Sequence, residues 1–415
     1  MIYPEYLSRD IFLRHNLILF CGSMAVAVFN YLYHPILGRM LSVQEFGEVQ
    51  TLISLILQFT IIGGVFRIIV INVVSNREQR EAKELVAMLH AAAYYLILPV
   101  SLIIVILAPG LERFFRFQSS SPFIALAAVL LSGIPIIFGE AALQGQRRFK
   151  ELSVSQIIAA VGKLLLAVVF IYAGWSSAGA ISAIVVAQIF AISYLTTRTE
   201  AVSEIRRDRI RIGRMTRRYF RYAFLVLIVS LTISCLCSLD ILVVKHYFSS
   251  DVAGLYGGIS VIAKIVFFVT GSIVGVMLPS IKLKDPDGNN ARVLKRSLLL
   301  VFLVGGATLL AFTIFPRFVI GIMLGERYLA YASLLPFLGL TLFLICILNL
   351  LYSYLLAIRD YRATPISLIG LSGLLILSLL HHDSPYAIIQ NTFVISLALI
   401  TTVASILNRN NPDRP

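Results

Sequence analysis

Residues 240–279 read DILVVKHYFSSDVAGLYGGISVIAKIVFFVTGSIVGVMLP. Two long apolar runs flank a short polar hairpin, HYFSSDVAG. One run carries an acid, Asp240, and the other a base, Lys264. An apolar run of about 20 residues crosses a bilayer as a helix, so the stretch reads as a transmembrane hairpin. The same plan occurs at residues 30–75, NYLYHPILGRMLSVQEFGEVQTLISLILQFTIIGGVFRIIVINVVS. Arg39 answers to Lys245 and Gly47 to Gly254, with one residue of slip between them. Beyond the glycines, Gly64 falls opposite Gly271, Arg67 opposite Val274 and Asn72 opposite Pro279. Two hairpins half a chain apart predict two pseudo-equivalent lobes with a site between them.

Composition agrees with a membrane protein. Of 415 residues, 59% are hydrophobic and 13% charged, with a net charge of +14. Soluble domains carry about twice that share of charge. Twelve apolar runs are long enough to span, at roughly 17–38, 48–75, 88–108, 122–140, 152–174, 178–197, 222–246, 254–281, 297–315, 328–358, 363–380 and 385–407. In lipid such runs are helices, because the backbone has no other hydrogen-bond partner. The alternation expected of a membrane barrel is absent. With the N-terminus inside, the inner segments hold 26 Lys and Arg and the outer loops 6. That asymmetry predicts cytoplasmic N- and C-termini. The positive charge is thereby directed at anionic headgroups, at about 1 kcal/mol per base, and nucleic acid is not an expected partner. Cys21, Cys235, Cys237 and Cys346 lie in apolar runs without metal-ligand spacing and read as core residues.

The expected organisation follows the runs. Residues 1–16 read as a short interfacial helix, and 1–197 form a six-helix lobe. The basic segment 198–221, with nine Arg, lies on the cytoplasmic leaflet as the boundary. Residues 222–408 form the second six-helix lobe, and 409–415 a disordered tail. The fold class is therefore all-α and polytopic, with about twelve transmembrane helices in two pseudo-symmetric lobes around a central cavity. A second repeat supports this. LQGQRRFKELS (143–153) follows the fourth span and LLAIRDYRATP (355–365) the tenth; setting Phe149 against Tyr361 puts Arg147 on Arg359 and Gly145 on Ala357.

The order R-x-L-x-x-x-x-F-G after span 1, QGxxRF before span 5 and D-x-x-x-V-x-x-Y-x-S-x-x-x-A-G-x-Y across spans 7 and 8, with Pro279 closing span 8, resembles the polysaccharide flippases. These belong to the multidrug/oligosaccharidyl-lipid/polysaccharide exporter superfamily. The resemblance covers nearly the whole chain. It implies alternating access and a polyprenyl-diphosphate-linked oligosaccharide, moved from the cytoplasmic to the outer leaflet for cell-surface polysaccharide biosynthesis. Lipid II flippases are close relatives, but that branch usually has fourteen spans, so twelve points to capsule, O-antigen or exopolysaccharide export. The location implied is the cytoplasmic (inner) membrane. A polysaccharide polymerase and glycosyltransferases are the implied protein partners.

The residues support a cationic cavity independently. A charge inside a span costs about 2.5–3.5 kcal/mol on insertion scales and usually faces the interior. Lys163 lies about 11 residues into span 5, roughly 16 Å deep. Arg67 lies roughly 12 Å from the inner end of span 2, and Lys264 about 10 residues below the outer turn. Three deep bases against one deep acid suit a diphosphate. Arg67 offers bidentate contact and the lysines offer point charges. Asn30, Gln58 and Asn72 are candidates for sugar hydroxyls, with helix–helix bonding the competing reading. Two further alternatives stay open: Arg67 snorkelling to the interface, and Lys264 simply paired with Asp240. Arg39 and Lys245 read as interface anchors. His381-His382-Asp383 sits in an outer turn and reads as no metal site. No cofactor is expected; H+ or Na+ is the candidate coupling ion, with Asp240 the acid to take part. A cation-coupled multidrug exporter of the same superfamily is the alternative, disfavoured by the excess of bases. A membrane-embedded glycan polymerase or acyltransferase lacks the clustered catalytic residues or large outer loop it would need.

Overall fold

The computed structural model describes residues 9–76, 79–199, 214–282 and 288–409. The expected interfacial helix at 1–16, the basic segment 198–221, the loop 282–296 and the tail fall wholly or partly outside the described residues.

Every described run is helical. The helices are α1 (Arg9–Met40), α2 (Val43–Asn76), α3 (Gln79–Phe114), α4 (Ser121–Gly145), α5 (Phe149–Tyr172), α6 (Ser176–Thr196) and α7 (Arg214–Tyr247). They continue as α8 (Ser250–Ala263), α9 (Ile265–Ser280), α10 (Asn289–Ile314), the short α11 (Pro316–Met323), α12 (Leu335–Ala357), α13 (Ala363–Leu380) and α14 (Pro385–Arg409). A 3-10 stretch, Glu326–Leu334, leads into α12. Eleven candidate membrane spans are found among the described residues, α8 with α9 and the 3-10 stretch with α12 each counting as one. The remaining run of the twelve lies in α1.

Local chemistry explains where these helices begin. Ser42 opens α2 as a capping box: its Oγ accepts from the Glu45 amide, while Glu45 Oε2 accepts from the Ser42 amide at 2.9 Å. Ser249 opens α8 in the same way, its Oγ accepting from the Val252 amide. Pro122, Pro316 and Pro336 stand in first turns, where their missing N–H costs nothing.

The first repeat is present in the backbone, with one correction. Ser42 and Ser249, Gln44 and Asp251, and Gly47 and Gly254 share one constant spacing, and so do the helix ends Met40 and Tyr247. No slip exists. The counterpart of Lys245 is Gly38, and that of Arg39 is His246. Successive residues on a helix point about 100° apart, and Arg39 is exposed whereas Lys245 is fully buried. The reading of Lys245 as an interface anchor is therefore overturned. The tight turn into α8 brings Ser250 back to it, with Nζ donating to Ser250 Oγ at 3.4 Å.

The chain divides into two compact units: residues 1–41 with 62–223, and residues 42–61 with 224–415. Helix α2 thus changes unit between Ile61 and Ile62, beside Gly63-Gly64. In the first unit, α5 packs on α1 and α6, and α4 on α3 and α6. Ile69, Val70, Val86, Leu89, Ile134 and Phe138 form a dry centre. In the second unit, α12 packs on α9, α10 and α14. Here the first turns of α2 and α8 cross at repeat-equivalent residues. Gln44 Nε2 donates to Asp251 Oδ1 at 3.0 Å. A Cβ on Gly47 would stand 2.7 Å from Gly254 Cα, and one on Gly254 would collide with the Val43 carbonyl. Only glycine allows two helix backbones this close.

Candidate functional site

Unit one holds two polar clusters on α5. In the first, Lys163 donates to Asn30 Oδ1 at 2.7 Å and lies 4.5 Å from the centre of the Tyr33 ring. Tyr33 is itself fully buried and locked, its hydroxyl donating to the Ala180 carbonyl at 2.9 Å. The ring face and the amide oxygen are both favourable to an ammonium. Asn30 is exposed, while Lys163 is half-buried beside it.

The second cluster is not legible as a unit in the sequence. Arg67 Nη1 donates to Glu140 Oε2 at 3.3 Å, and Nη2 to Gln144 Oε1 at 3.1 Å. Gln156 Nε2 donates to the same Glu140 oxygen at 3.2 Å. Arg67 is therefore held by the protein on both Nη atoms. Its side chain remains 34% exposed, against 8% for Glu140, so the pair buries its acid more than its base. Gln156 and Lys163 are seven residues apart on α5, which is two turns and roughly 10 Å along one face. The two clusters meet the same face of α5, with Ala159 and Ala160 between them.

Unit two holds Asp240 and Lys264. Asp240 is buried, and its Oδ2 accepts from the Tyr256 hydroxyl at 2.7 Å and from Ser260 at 3.2 Å. Its Oδ1 has no hydrogen-bond partner among the described residues. Lys264 stands in the break between α8 and α9. It is within electrostatic reach of Asp240, yet no direct ion pair joins them among the described residues. Gln58 donates to Ser238 Oγ at 2.8 Å and accepts from Cys235, and Asn72 donates to the Ile68 carbonyl on its own helix. Gln58 thus joins two helices, in line with the competing reading, whereas the Asn72 bond stays within α2.

The expected balance of three deep bases against one deep acid needs correction. Glu48 and Glu140 are also buried, as is Lys245. Acids near the ends of apolar runs look peripheral in a sequence, and helices longer than the apolar run carry them inward. Nothing in the sequence pattern singles out His90 either. It is buried, stacked on Phe138 at 4.6 Å, and neither ring nitrogen has a hydrogen-bond partner among the described residues. No three His, Cys, Asp or Glu side chains gather as metal ligands among the described residues.

A family model described as "Polysaccharide biosynthesis protein" matches residues 12–282. No curated protein sequence matches the chain. Among solved structures, a lipid II flippase MurJ in an inward closed conformation gives a TM-score of 0.68 at 13% identity, covering 94% of this chain and 87% of that one. An inward-facing multidrug resistance MATE family transporter of the MOP superfamily gives 0.66 at 13% identity, covering 92% and 96%. The MATE multidrug transporter DinF-BH gives 0.64 at 18% identity, covering 99% and 97%. The fold is the one these transporters and flippases share.

Proposed function

The chain belongs to the polysaccharide biosynthesis protein family, and from this premise we propose that it is a flippase for a polyprenyl-diphosphate-linked oligosaccharide. The direction is from the inner to the outer leaflet of the cytoplasmic membrane, with both termini inside. The observation that carries this reading is the pair of basic clusters in unit one, with the part-exposed Arg67 in one and Lys163 in the other. A phosphate meets a planar donor at Arg67 and a point charge at Lys163. Asn30 stands beside Lys163 to take a sugar hydroxyl. Glu140 gives the Arg67 end a second use: phosphate competes with the carboxylate for the guanidinium, and a carboxylate so released takes up a proton. Asp240 in unit two is the other acid suited to coupling with H+ or Na+. Glycosyltransferases and a polymerase supply and consume the cargo, and anionic lipids surround the inner face.

Matches to multidrug transporters at similar TM-scores favour a second reading, export of an organic cation. The two basic clusters repel such a cargo. The test is reconstitution: purified protein in vesicles holding a fluorescent undecaprenyl-diphosphate oligosaccharide on the inner leaflet. Exposure to an outer-leaflet quencher at a rate that depends on Lys163 is the result expected. Translocation of a cationic dye with no movement of the lipid would end the proposal.

A further inference from the structure

One turn closes α3, α4, α5 and α12 alike, and those after α4 and α12 fall at repeat-equivalent positions. After α4, the amides of Gln146, Arg147 and Arg148 donate to the carbonyls of Ala142, Gln144 and Leu143. After α12, those of Ile358, Arg359 and Asp360 donate to Tyr354, Leu356 and Leu355 in the same pattern. The apex residue of each has a left-handed φ of 60°, Arg147 in one and Arg359 in the other. This arrangement usually ends on glycine, because a Cβ is disfavoured at positive φ. Both apexes are nevertheless arginine, both are exposed, and neither guanidinium bonds to a described residue. Their neighbours are all engaged. Arg148 donates to Glu151 and to the Arg198 carbonyl at 2.7 Å, and Arg362 forks onto Asp360. A third left-handed arginine, Arg116 after α3, is engaged by the protein, and it lies on the face assigned to the outside.

We infer that Arg147 and Arg359 are each a contact point for the diphosphate of the lipid-linked cargo, at the cytoplasmic end of their respective units. The inference rests on the flippase reading and on the charge-based orientation. A favourable cation at a helix C-terminus needs no left-handed residue, since any base in the last turn supplies it. General attraction to anionic headgroups does not need one either, since it depends on total charge near the surface. An exposed arginine with no partner among the described residues, at an apex where glycine would relieve strain, offers phosphate a planar guanidinium.

The test uses the full chain in nanodiscs with sugar-free undecaprenyl diphosphate as the probe. Arg147→Gly and Arg359→Gly are compared with Arg→Asn, which tolerates the left-handed backbone without the charge, and with Arg→Lys. Expected are unfolding temperatures equal to or above that of the parent for the glycine variants. Probe affinity should fall roughly threefold to tenfold for each loss of charge, as for an exposed charge-assisted contact, and further in the double variant. Lysine should restore part of it. Equal probe affinity in parent and variants overturns the inference while leaving the flippase reading intact. A parent that does not bind the probe, yet moves the reconstituted cargo, also overturns it. A loss seen only for phosphatidylglycerol-rich discs assigns the arginines to bulk lipid and overturns it as well.

Discussion

The two units are built on repeated helices, yet they carry their charges differently. Arg67 corresponds to Val274, and Glu140, by the spacing that relates the two Arg turns, to Tyr352. Both partners of the unit-one ion pair are thus absent together from unit two. Lys163 corresponds to Leu375, Asn30 to Cys237, and Tyr33 to Asp240. Leu375 is exposed, where unit one presents an ammonium. The charges of unit two sit instead on the α7–α8–α9 hairpin, where Asp240 is enclosed by Tyr256 and Ser260. Unit one holds Arg67 and Lys163 half-buried, each engaged by neutral or acidic partners. Unit two closes its acid inside the protein, as a structural or switching group requires.

The largest expected effect follows from that contrast. Lys163→Ala should reduce cargo translocation at least about a hundredfold, the scale of a lost charge contact in a desolvated site, while the unfolding temperature moves little. Leu375→Ala, at the equivalent position, should leave translocation unchanged. Equal losses at both positions in the vesicle assay would abolish the distinction between the units.

Asp240→Ala should show the opposite profile. It leaves Lys264 without a nearby opposite charge and two buried hydroxyls without an acceptor. Removing one member of a buried charge set costs about 3–5 kcal/mol, and thermal unfolding in detergent should fall accordingly. Asp240→Ala with Lys264→Met should recover part of that loss. Failure of the second substitution to help would mean that the two groups are not coupled.

The ion pair of unit one can be converted to the unit-two pattern. Arg67→Val alone buries an unpaired Glu140, and Glu140→Tyr alone strands Arg67. The double variant should be more stable than either single one by about 1–2 kcal/mol, a typical coupling between contacting residues. It should nevertheless fail to move cargo. A double variant that transports normally would assign the Arg67–Glu140 pair to stability alone.

Much of this is legible in the sequence, for physical reasons. Bilayer thickness fixes run length, so the helices appear as apolar runs, and positions such as 363–380 coincide with the helix to the residue. Capping chemistry marks Ser42 and Ser249. Lys163 and Asn30 stand out only as two separate candidates, because a contact across 133 residues leaves no local pattern. The Arg67–Glu140 pair is hidden for a related reason. Glu140 closes an apolar run four residues before Gln144 and reads as a terminal acid, whereas α4 continues to Gly145. The register error at Arg39 comes from matching charge with charge; helix ends are set by capping, so the Ser42–Ser249 pair is the better anchor.

The smallest expected effect concerns the glycines that the repeat pairs but packing does not use. Gly47 and Gly254 touch, so alanine at either forces the backbones apart, at about 1–3 kcal/mol for overpacking. At Gly64 and Gly271 an added Cβ would meet nothing within 4 Å. There, alanine should stabilise the helix by up to about 1 kcal/mol and leave translocation within about twofold. The two nevertheless differ in setting: Gly64 lies just past the point where α2 passes from one unit to the other, while α9 remains inside a single unit. Gly64→Ala and Gly271→Ala should therefore be compared for translocation rate at matched stability. Equal rates would mean that α2 crosses between the units as a stiff rod; a loss confined to Gly64→Ala would identify this glycine as the place where the first copy of the repeat bends and the second does not.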